Sequence, residues 1–327
     1  MPKPKVSICI PAYKQPELLE RALNSIFIQD YKDFEVIITD DSPDNSVEEI
    51  VKKFLDHKNL KYVKNTIKQG SPGNWNASIA LAKGEYIKIL HHDDWFLKET
   101  SLSHFVKLLD ENPDVNFAFG GSKNFDDKGN VTYDHRANPD QIFKLKEDPI
   151  YTCLINFIGA PSATIYRNNI NHVFDVNLKW FVDIEFYAQV LLDNSKFAYS
   201  TELLMGILDF SPNRVTTESV GKADVEIFEF LYLYKKITSR TGYKHSLFKH
   251  LWHLFERYGV NSKEQIVNYG FAEPFPSEVY ILLKYQSIFK RFQKVIFTVK
   301  KVFSLERWLR ILFIFLSYIN IKLEKRK

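Results

Sequence analysis

Along its first third the chain alternates short apolar runs with stretches of helical period. Val6–Ile10 reads as a buried strand, and from Glu17 to Phe27 the residues Leu18, Leu19, Ala22, Leu23 and Ile26 share one helical face, which predicts a β-α start. Phe34–Thr39 predicts a second strand, Ser46–Leu55 a capped helix, Leu60–Val63 a third strand and Asn74–Ala82 a third helix ending at Gly84. Tyr86–Leu90 is a further strand. A helix over Leu97–Glu111 then stops at Asn112-Pro113, and Val115–Phe119 is extended again. Short right-handed crossovers between such elements give an α/β fold with a mostly parallel sheet and helices on both faces. From about Phe125 to Thr217 the period is mixed, with turn signals at Asp127-Lys128-Gly129-Asn130 and Asn138-Pro139, as expected of extra strands and loops laid over one sheet edge. From Lys222 the pattern is helical to the end, so residues 1–217 are expected to form the main domain and 218–327 a helical C-terminal region.

Charge sharpens that division. The net +4 conceals an asymmetry, because residues 280–327 hold twelve Lys and Arg against Glu306 and Glu324, a net +10, which leaves −6 for the rest. Opposite signs on two regions point to two tasks, and nucleic acid is not an expected partner of the acidic part. The two cysteines, Cys9 and Cys153, lie far apart and form no disulfide framework, which fits a reducing compartment. Met-Pro-Lys-Pro-Lys leads straight into Val6–Ile10 and Pro11, too short a run for a secretory signal. The longest uncharged apolar run in the tail, Ile311–Ile319, is half of the roughly 18 residues that spanning requires. The expectation is a cytoplasmic protein.

Open α/β sheets bind ligands at the carboxyl ends of their strands, and here those ends carry chemistry. The strand ending in His91-His92-Asp93-Asp94 delivers paired carboxylates, which with phosphate oxygens suit a hard cation such as Mg²⁺ or Mn²⁺. An Asp-Asp turn capping the next helix is the plainer alternative. Strand alternation keeps His91 and His92 off a shared ion, which argues against a hydrolytic His/Asp cluster. At Asp40-Asp41, alternation predicts that one acid faces the crevice, able to accept from a base imide or ribose hydroxyl, while the other braces the loop. Tyr13, just past Pro11, offers a ring on which a nucleobase can stack.

These constellations occur in order, and together they resemble the family 2 inverting glycosyltransferases of GT-A fold, particularly those of bacterial surface polysaccharide assembly. The matching segments are Val6 to Tyr13, Phe34 to Ser42, Gly73-Asn74-Trp75-Asn76 with Ala82 to Ile87, and Asp93-Asp94. The resemblance covers about the first 120 residues closely and loosens to about 215. It implies Pro11 and Tyr13 at the nucleotide base, Asp41 on base or ribose, Asn76 in a helix facing the nucleotide, and Asp93 with the metal ligand Asp94 at the diphosphate. Three departures stand out. His92 occupies a place where relatives often carry Asp, Trp75-Asn76 replaces Arg-Asn, and Ser-Pro follows Asp41 where Gly-Ser is common.

The attack of an acceptor hydroxyl needs a base, and Asp183, in Trp180 to Tyr187 at the start of an apolar helical run, resembles the family's catalytic acid segment. An N-terminal helix acid complementing the dipole is its structural alternative, and Glu185 is a second choice. The resemblance further implies that the loop Asn156 to Ser162, with Gly159 and Ser162, lines the donor sugar and that Arg214 reaches the diphosphate. The whole reading is a metal-dependent inverting transfer from a nucleotide-diphosphate sugar, most commonly UDP-linked, to a glycan or lipid-linked oligosaccharide. A nucleotidyltransferase would be expected to show a glycine-rich basic loop, absent from Pro11 to Pro16, and a sugar-binding scaffold has no need of Asp183.

In the tail, Ile281, Tyr285, Ile288, Phe292, Val295, Val299 and Val302 form a helical stripe with lysines and arginines largely elsewhere, followed by the more apolar Trp308–Leu323 and four further basic residues. This predicts peripheral attachment to the anionic inner face of a membrane. Packing on protein, or on another copy of the chain, is the competing outcome.

Overall fold

The computed structural model describes residues 3–209, 219–272, 274–297 and 303–324. They form two compact units, Met1–Thr217 and Glu218–Lys327.

The first unit is built on a nine-stranded sheet of order β3-β2-β1-β4-β8-β6-β9-β5, with β7 on the flank of β6. The strands are β1 (Val6–Ala12), β2 (Phe34–Asp40), β3 (Leu60–Lys64), β4 (Tyr86–Ile89), β5 (Trp95–Phe96), β6 (Phe117–Phe125), β7 (Val131–His135), β8 (Thr164–Arg167) and β9 (Phe197–Leu208). The helices are α1 (Pro16–Phe27), α2 (Ser46–Lys52), α3 (Ser71–Ala80), α4 (Ser101–Asp110), α5 (Pro139–Glu147) and α6 (Val182–Asp193). β1 pairs in parallel with both β2 and β4, and all seven of its residues are buried, as a central strand covered on two faces demands. The second half of the sheet is mixed. β8 runs antiparallel to β4 and to β6, so β6 and its parallel neighbour β9 point the same way as β1. Six of the nine strands therefore share one direction, with β5, β7 and β8 opposed.

α1 begins with Pro16 in its first turn, where the missing N–H costs nothing, and buries Leu19, Ala22, Leu23 and Ile26. Leu18, expected on the same face, is only half-buried at its rim. The core beneath combines Ile8, Ile10, Val36 and Ile38 with Leu102, Phe105 and Leu109 of α4.

The second unit consists of α7 (Ala223–Thr241), α8 (His245–Tyr258), α9 (Lys263–Asn268), α10 (Ser277–Phe297) and α11 (Phe303–Glu324). Its core includes Phe230, Leu251, Trp252, Phe255, Leu282 and Phe289. On α10 the buried face takes Val279, Ile281, Leu282, Leu283, Gln286 and Phe289, so Ile281 of the expected stripe is buried while Tyr285 and Ile288 are half-buried. The reason is tertiary: Gln286 donates through Nε2 to the Trp252 carbonyl at 2.7 Å, and Phe289 meets Phe313 of α11 edge-on at 5.6 Å. Stripe residues beyond Phe289 lie outside the described side chains. Among the described residues no helix is long and apolar enough to cross a membrane.

Gly84, where α3 hands the chain to β4, sits against β1 so closely that a Cβ would lie 2.5 Å from the Ser7 amide nitrogen and 2.8 Å from the Val6 carbonyl carbon. Backbone cannot yield as a side-chain tip can. Gly84→Ala is expected to destabilise the protein by about 2–3 kcal/mol, measured as a lower urea midpoint with unchanged slope.

Candidate active site

The carboxyl ends of β1, β2 and β4 open onto a cavity of about 650 Å³. Beyond β1 the chain turns through two consecutive left-handed residues, Lys14 (φ 57°) and Gln15 (φ 52°), a strained conformation for residues with side chains. Side chains from elsewhere help hold it: the Lys14 amide donates to Ser42 Oγ at 2.6 Å, and His92 Nε2 meets Gln15 Oε1 at 2.9 Å. His92 Nδ1 also meets the Pro11 carbonyl at 3.2 Å. The residue that stands where relatives often carry Asp is thus committed to the β1–α1 turn, and the turn presents Tyr13 on the cavity with Lys68 Nζ 4.6 Å from its ring centre.

At the end of β2 the two acids divide. Asp40 is fully buried and accepts from the Ser42 amide (2.7 Å) and the Tyr62 hydroxyl (2.8 Å), so it braces the loop. Asp41 lines the cavity and organises residues 65–70, accepting from Asn65 Nδ2 (2.6 Å), the Gln69 amide (3.1 Å) and the Gly70 amide (2.8 Å). Asn74, in the first turns of α3, sews this edge together. Its Nδ2 donates to the carbonyls of Ala12 (3.2 Å) and Thr39 (3.1 Å), and its Oδ1 accepts from Asn65.

Beyond β4, ligand atoms of His91, Asp93 and Asp94 all lie within 4.8 Å of one another, with His91 Nδ1 3.8 Å from Asp94 Oδ2. One imidazole and two carboxylates make a donor set that fits a divalent cation. The strand ends at Ile89 and residues 92–93 turn, so it is this turn that sends His92 to the β1–α1 loop while His91 joins the acids. Its ring lies 4.6 Å from Trp75, and its amide donates to Ser162 Oγ at 3.0 Å. Beneath lies Lys88, fully buried, with Nζ donating to the Ser162 carbonyl and 4.4 Å from the Phe105 ring centre. Burial pushes its pKa down to about 7, with the Asp94 charge working the other way. Arg21 donates to the Asp93 carbonyl at 2.7 Å and stacks on Trp95.

The remaining sequence-derived residues separate into three groups. Pro11, Gly159 and Asp183 line the same cavity. Asp183, half-buried on the first turn of α6, accepts from Asn156 Nδ2 at 3.0 Å and from the Ile184 amide at 2.8 Å. Ser162 and Asn76 are drawn off the cavity. Ser162 is fully buried and its oxygens serve His91 and Lys88, whereas the Asn76 amide makes a reciprocal pair with the backbone of Phe174 at 2.8 and 2.9 Å. Asn76 therefore fastens a loop and is not among the cavity-lining residues. Glu185 is buried within α6 and is not among the cavity-lining residues. Arg214 lies outside the described residues.

Sequence reasoning missed a polar cluster on the far wall. Asn124 of β6 donates to the Tyr133 hydroxyl (3.0 Å) and to Asp209 Oδ1 (2.8 Å), and all three residues line the cavity. Only the pairing of β6 with β7 and β9 brings them together, so no local spacing could have signalled it.

A sheet edge of this order, with a cavity joining strand-end acids to a helix-borne carboxylate, is accompanied by a direct match. The chain belongs to glycosyl transferase family 2, whose family model matches residues 7–174. It is 29% identical over 209 residues to an uncharacterised glycosyltransferase of Methanocaldococcus jannaschii, covering 63% of this chain and 71% of that one. Over 96 residues it is 38% identical to the GalNAc(5)-diNAcBac-PP-undecaprenol beta-1,3-glucosyltransferase of Campylobacter jejuni, covering 29% of this chain but only 31% of that enzyme. Among solved structures, S. aureus TarS 1–349 in complex with UDP-GlcNAc aligns over 98% of this chain and 91% of that one, with a TM-score of 0.59 and 21% identity. The protein is a glycosyltransferase.

Asp41 generates a test of the edge. Asp41→Ala removes the acceptor of two backbone amides and a side-chain amide at once, and is expected to cost about 2–3 kcal/mol. Asp41→Asn, whose NH₂ must face donors, is expected to fall between. Urea unfolding of the three proteins checks the order.

Proposed function

We propose that the enzyme transfers a sugar from a nucleotide-diphosphate donor, UDP-linked in the first instance, to a hydroxyl of a glycan or lipid-linked acceptor, with inversion and with a divalent cation, in polysaccharide assembly. The observation that carries this reading is the convergence on one cavity of Tyr13 and Asp41, the His91/Asp93/Asp94 cluster and Asp183. The Campylobacter relative's name specifies an undecaprenol-linked acceptor, and the TarS complex supports the choice of UDP.

Tyr13 offers the base a face, and Asp41 holds the loop that carries Lys68 beside it. His91, Asp93 and Asp94 would hold Mn²⁺ or Mg²⁺, and the imidazole favours Mn²⁺. When bound, the cation supplies Lewis-acid neutralisation of the departing diphosphate. Asp183 accepts the proton of the attacking hydroxyl, and one displacement at the anomeric carbon inverts it.

UDP binding followed by equilibrium dialysis, with Mn²⁺ and with excess chelator, tests the cation. Unchanged binding in chelator, or in Asp94→Ala, removes it from the reading. Asp183→Asn is expected to lower turnover about 100-fold or more while UDP binding stays at the wild-type level. Near-normal turnover, or a product that keeps the donor's anomeric configuration by proton NMR, removes the base.

For the second unit the reading is peripheral attachment to an anionic inner membrane face. α11 buries Phe313, Ile314, Ser317 and Ile321 and exposes Ile311, Leu312, Phe315, Leu316 and Ile319 on one side, within the region of net charge +10. The described face of α10 packs into its own unit's core through Leu282 and Phe289, whereas α11 is the helix whose described apolar face is exposed. The full chain is expected to float with vesicles containing phosphatidylglycerol, less so at high salt, and Phe315→Ser with Leu316→Ser to abolish flotation without unfolding. Salt-independent self-association that the same pair abolishes would assign the face to a second copy instead.

A further inference from the structure

The base of the proposed reaction does not stand alone. Asn156, the first residue of the Asn156–Ser162 loop, bonds to both Asp183 and the Gly159 amide. The Gly159 amide can only donate, so the Asn156 Oδ1 that accepts from it at 3.0 Å fixes the amide's orientation and turns Nδ2 toward Asp183 Oδ2, also at 3.0 Å. The loop is itself clamped. Phe157 and Ile158 are buried, and the Phe157 carbonyl lies 3.0 Å from His135 Nε2. Gly159 has φ 99°, a conformation that excludes ordinary side chains, and its carbonyl accepts from the Tyr187 hydroxyl at 3.1 Å.

Tyr187 lies one helical turn beyond Asp183 on α6, is fully buried, and packs 5.2 Å from Phe117. Burial, and after it the Asp183 charge, hold its pKa well up, so the hydroxyl remains a donor. The bonds close a ring: from Asp183 through Asn156 to Gly159, on to Tyr187, and back along one turn of α6. With Asp183 Oδ1 taken by the Ile184 amide, the carboxylate is fixed from two directions, and the ring ties it to a loop on the cavity wall.

We propose that Asn156 is a positioning residue that aims the Asp183 carboxylate and couples it to the Gly159 loop. This rests on Asp183 being the base. A neutral amide is suited to the task because it orients the carboxylate without adding a charge beside it. A misplacement of about 1 Å costs on the order of 100-fold in rate, so the ring bears on turnover more than on donor affinity.

The decisive comparison is Asn156→Asp against Asn156→Ala. Aspartate matches the amide in shape and still accepts from the Gly159 amide, but it cannot donate to Asp183 and sets a second negative charge near it. Turnover is read as UDP release, with water as acceptor, from whichever of UDP-glucose, UDP-galactose, UDP-GlcNAc and UDP-GalNAc the wild-type enzyme uses fastest. Asn156→Ala is expected to lower kcat about tenfold and Asn156→Asp about 100-fold, both with UDP affinity and thermal midpoint near wild type. In an Asp183→Asn background, Asn156→Asp is expected to add no further loss. Near-normal kcat for Asn156→Asp overturns the proposal, leaving Asn156 as a loop brace. Parallel losses of kcat, UDP affinity and stability overturn it too. If Asp183→Asn itself turns over normally, the base assignment has failed, whereas an inactive Asp183→Asn beside a normal Asn156→Asp removes only the positioning role.

Discussion

Everything in the first unit depends on β1 being flanked on both sides by parallel strands. Parallel pairing with β2 and β4 brings three carboxyl ends to one edge, so Pro11–Tyr13, Asp40–Asp41 and His91–Asp94 emerge together though up to eighty residues separate them. Parallel strands need crossovers, and α1 and α3 supply them while covering the sheet. Burial on both faces makes β1 apolar apart from Ser7, whose hydroxyl donates to Glu35, and the groups it offers to the cavity lie at and past its carboxyl end.

At that edge, beside the carboxylates of Asp40 and Asp41, the protein holds irregular backbone with side-chain amides and one imidazole. Asn74 joins the ends of β1 and β2, Asn76 fastens the Phe174 backbone, and Asn156 links helix to loop. An amide suits such places because it satisfies donors and acceptors together without bringing a charge into a buried region. His92 extends the pattern by holding the left-handed turn at Lys14 and Gln15. Lys88 is a buried cation there, its pKa lowered by burial against the pull of the Asp94 charge and its Nζ spent on the Ser162 carbonyl.

The second unit obeys a different rule. Its helices have more apolar surface than their mutual packing consumes. α10 spends its apolar face on Trp252 and Phe313, and α11 keeps a row of five apolar residues in solvent. That excess, combined with strong positive charge, is the basis for the proposal that α11 meets a lipid surface.

The sequence by itself determined whatever is periodic or adjacent. Strands β1 to β4 and helices α1, α3 and α4 were legible because alternation, helical period and stop residues are local properties, and the family followed from ordered motifs at their ends. Asp41 and Asp94 could be singled out for the same reason, each lying shortly past the end of a readable strand. Tertiary structure alone decided which side chains share a partner. It gave His92 to the β1–α1 turn and His91 to the acids, turned Asn76 and Ser162 away from the cavity, and left Tyr285 and Ile288 half-buried while burying Gln286. It also assembled Asn124 with Tyr133 and Asp209, and Asn156 with Asp183. The physical reason is that a hydrogen bond is fixed by distance and direction in space, and residues 27 or 85 positions apart carry no local trace of meeting.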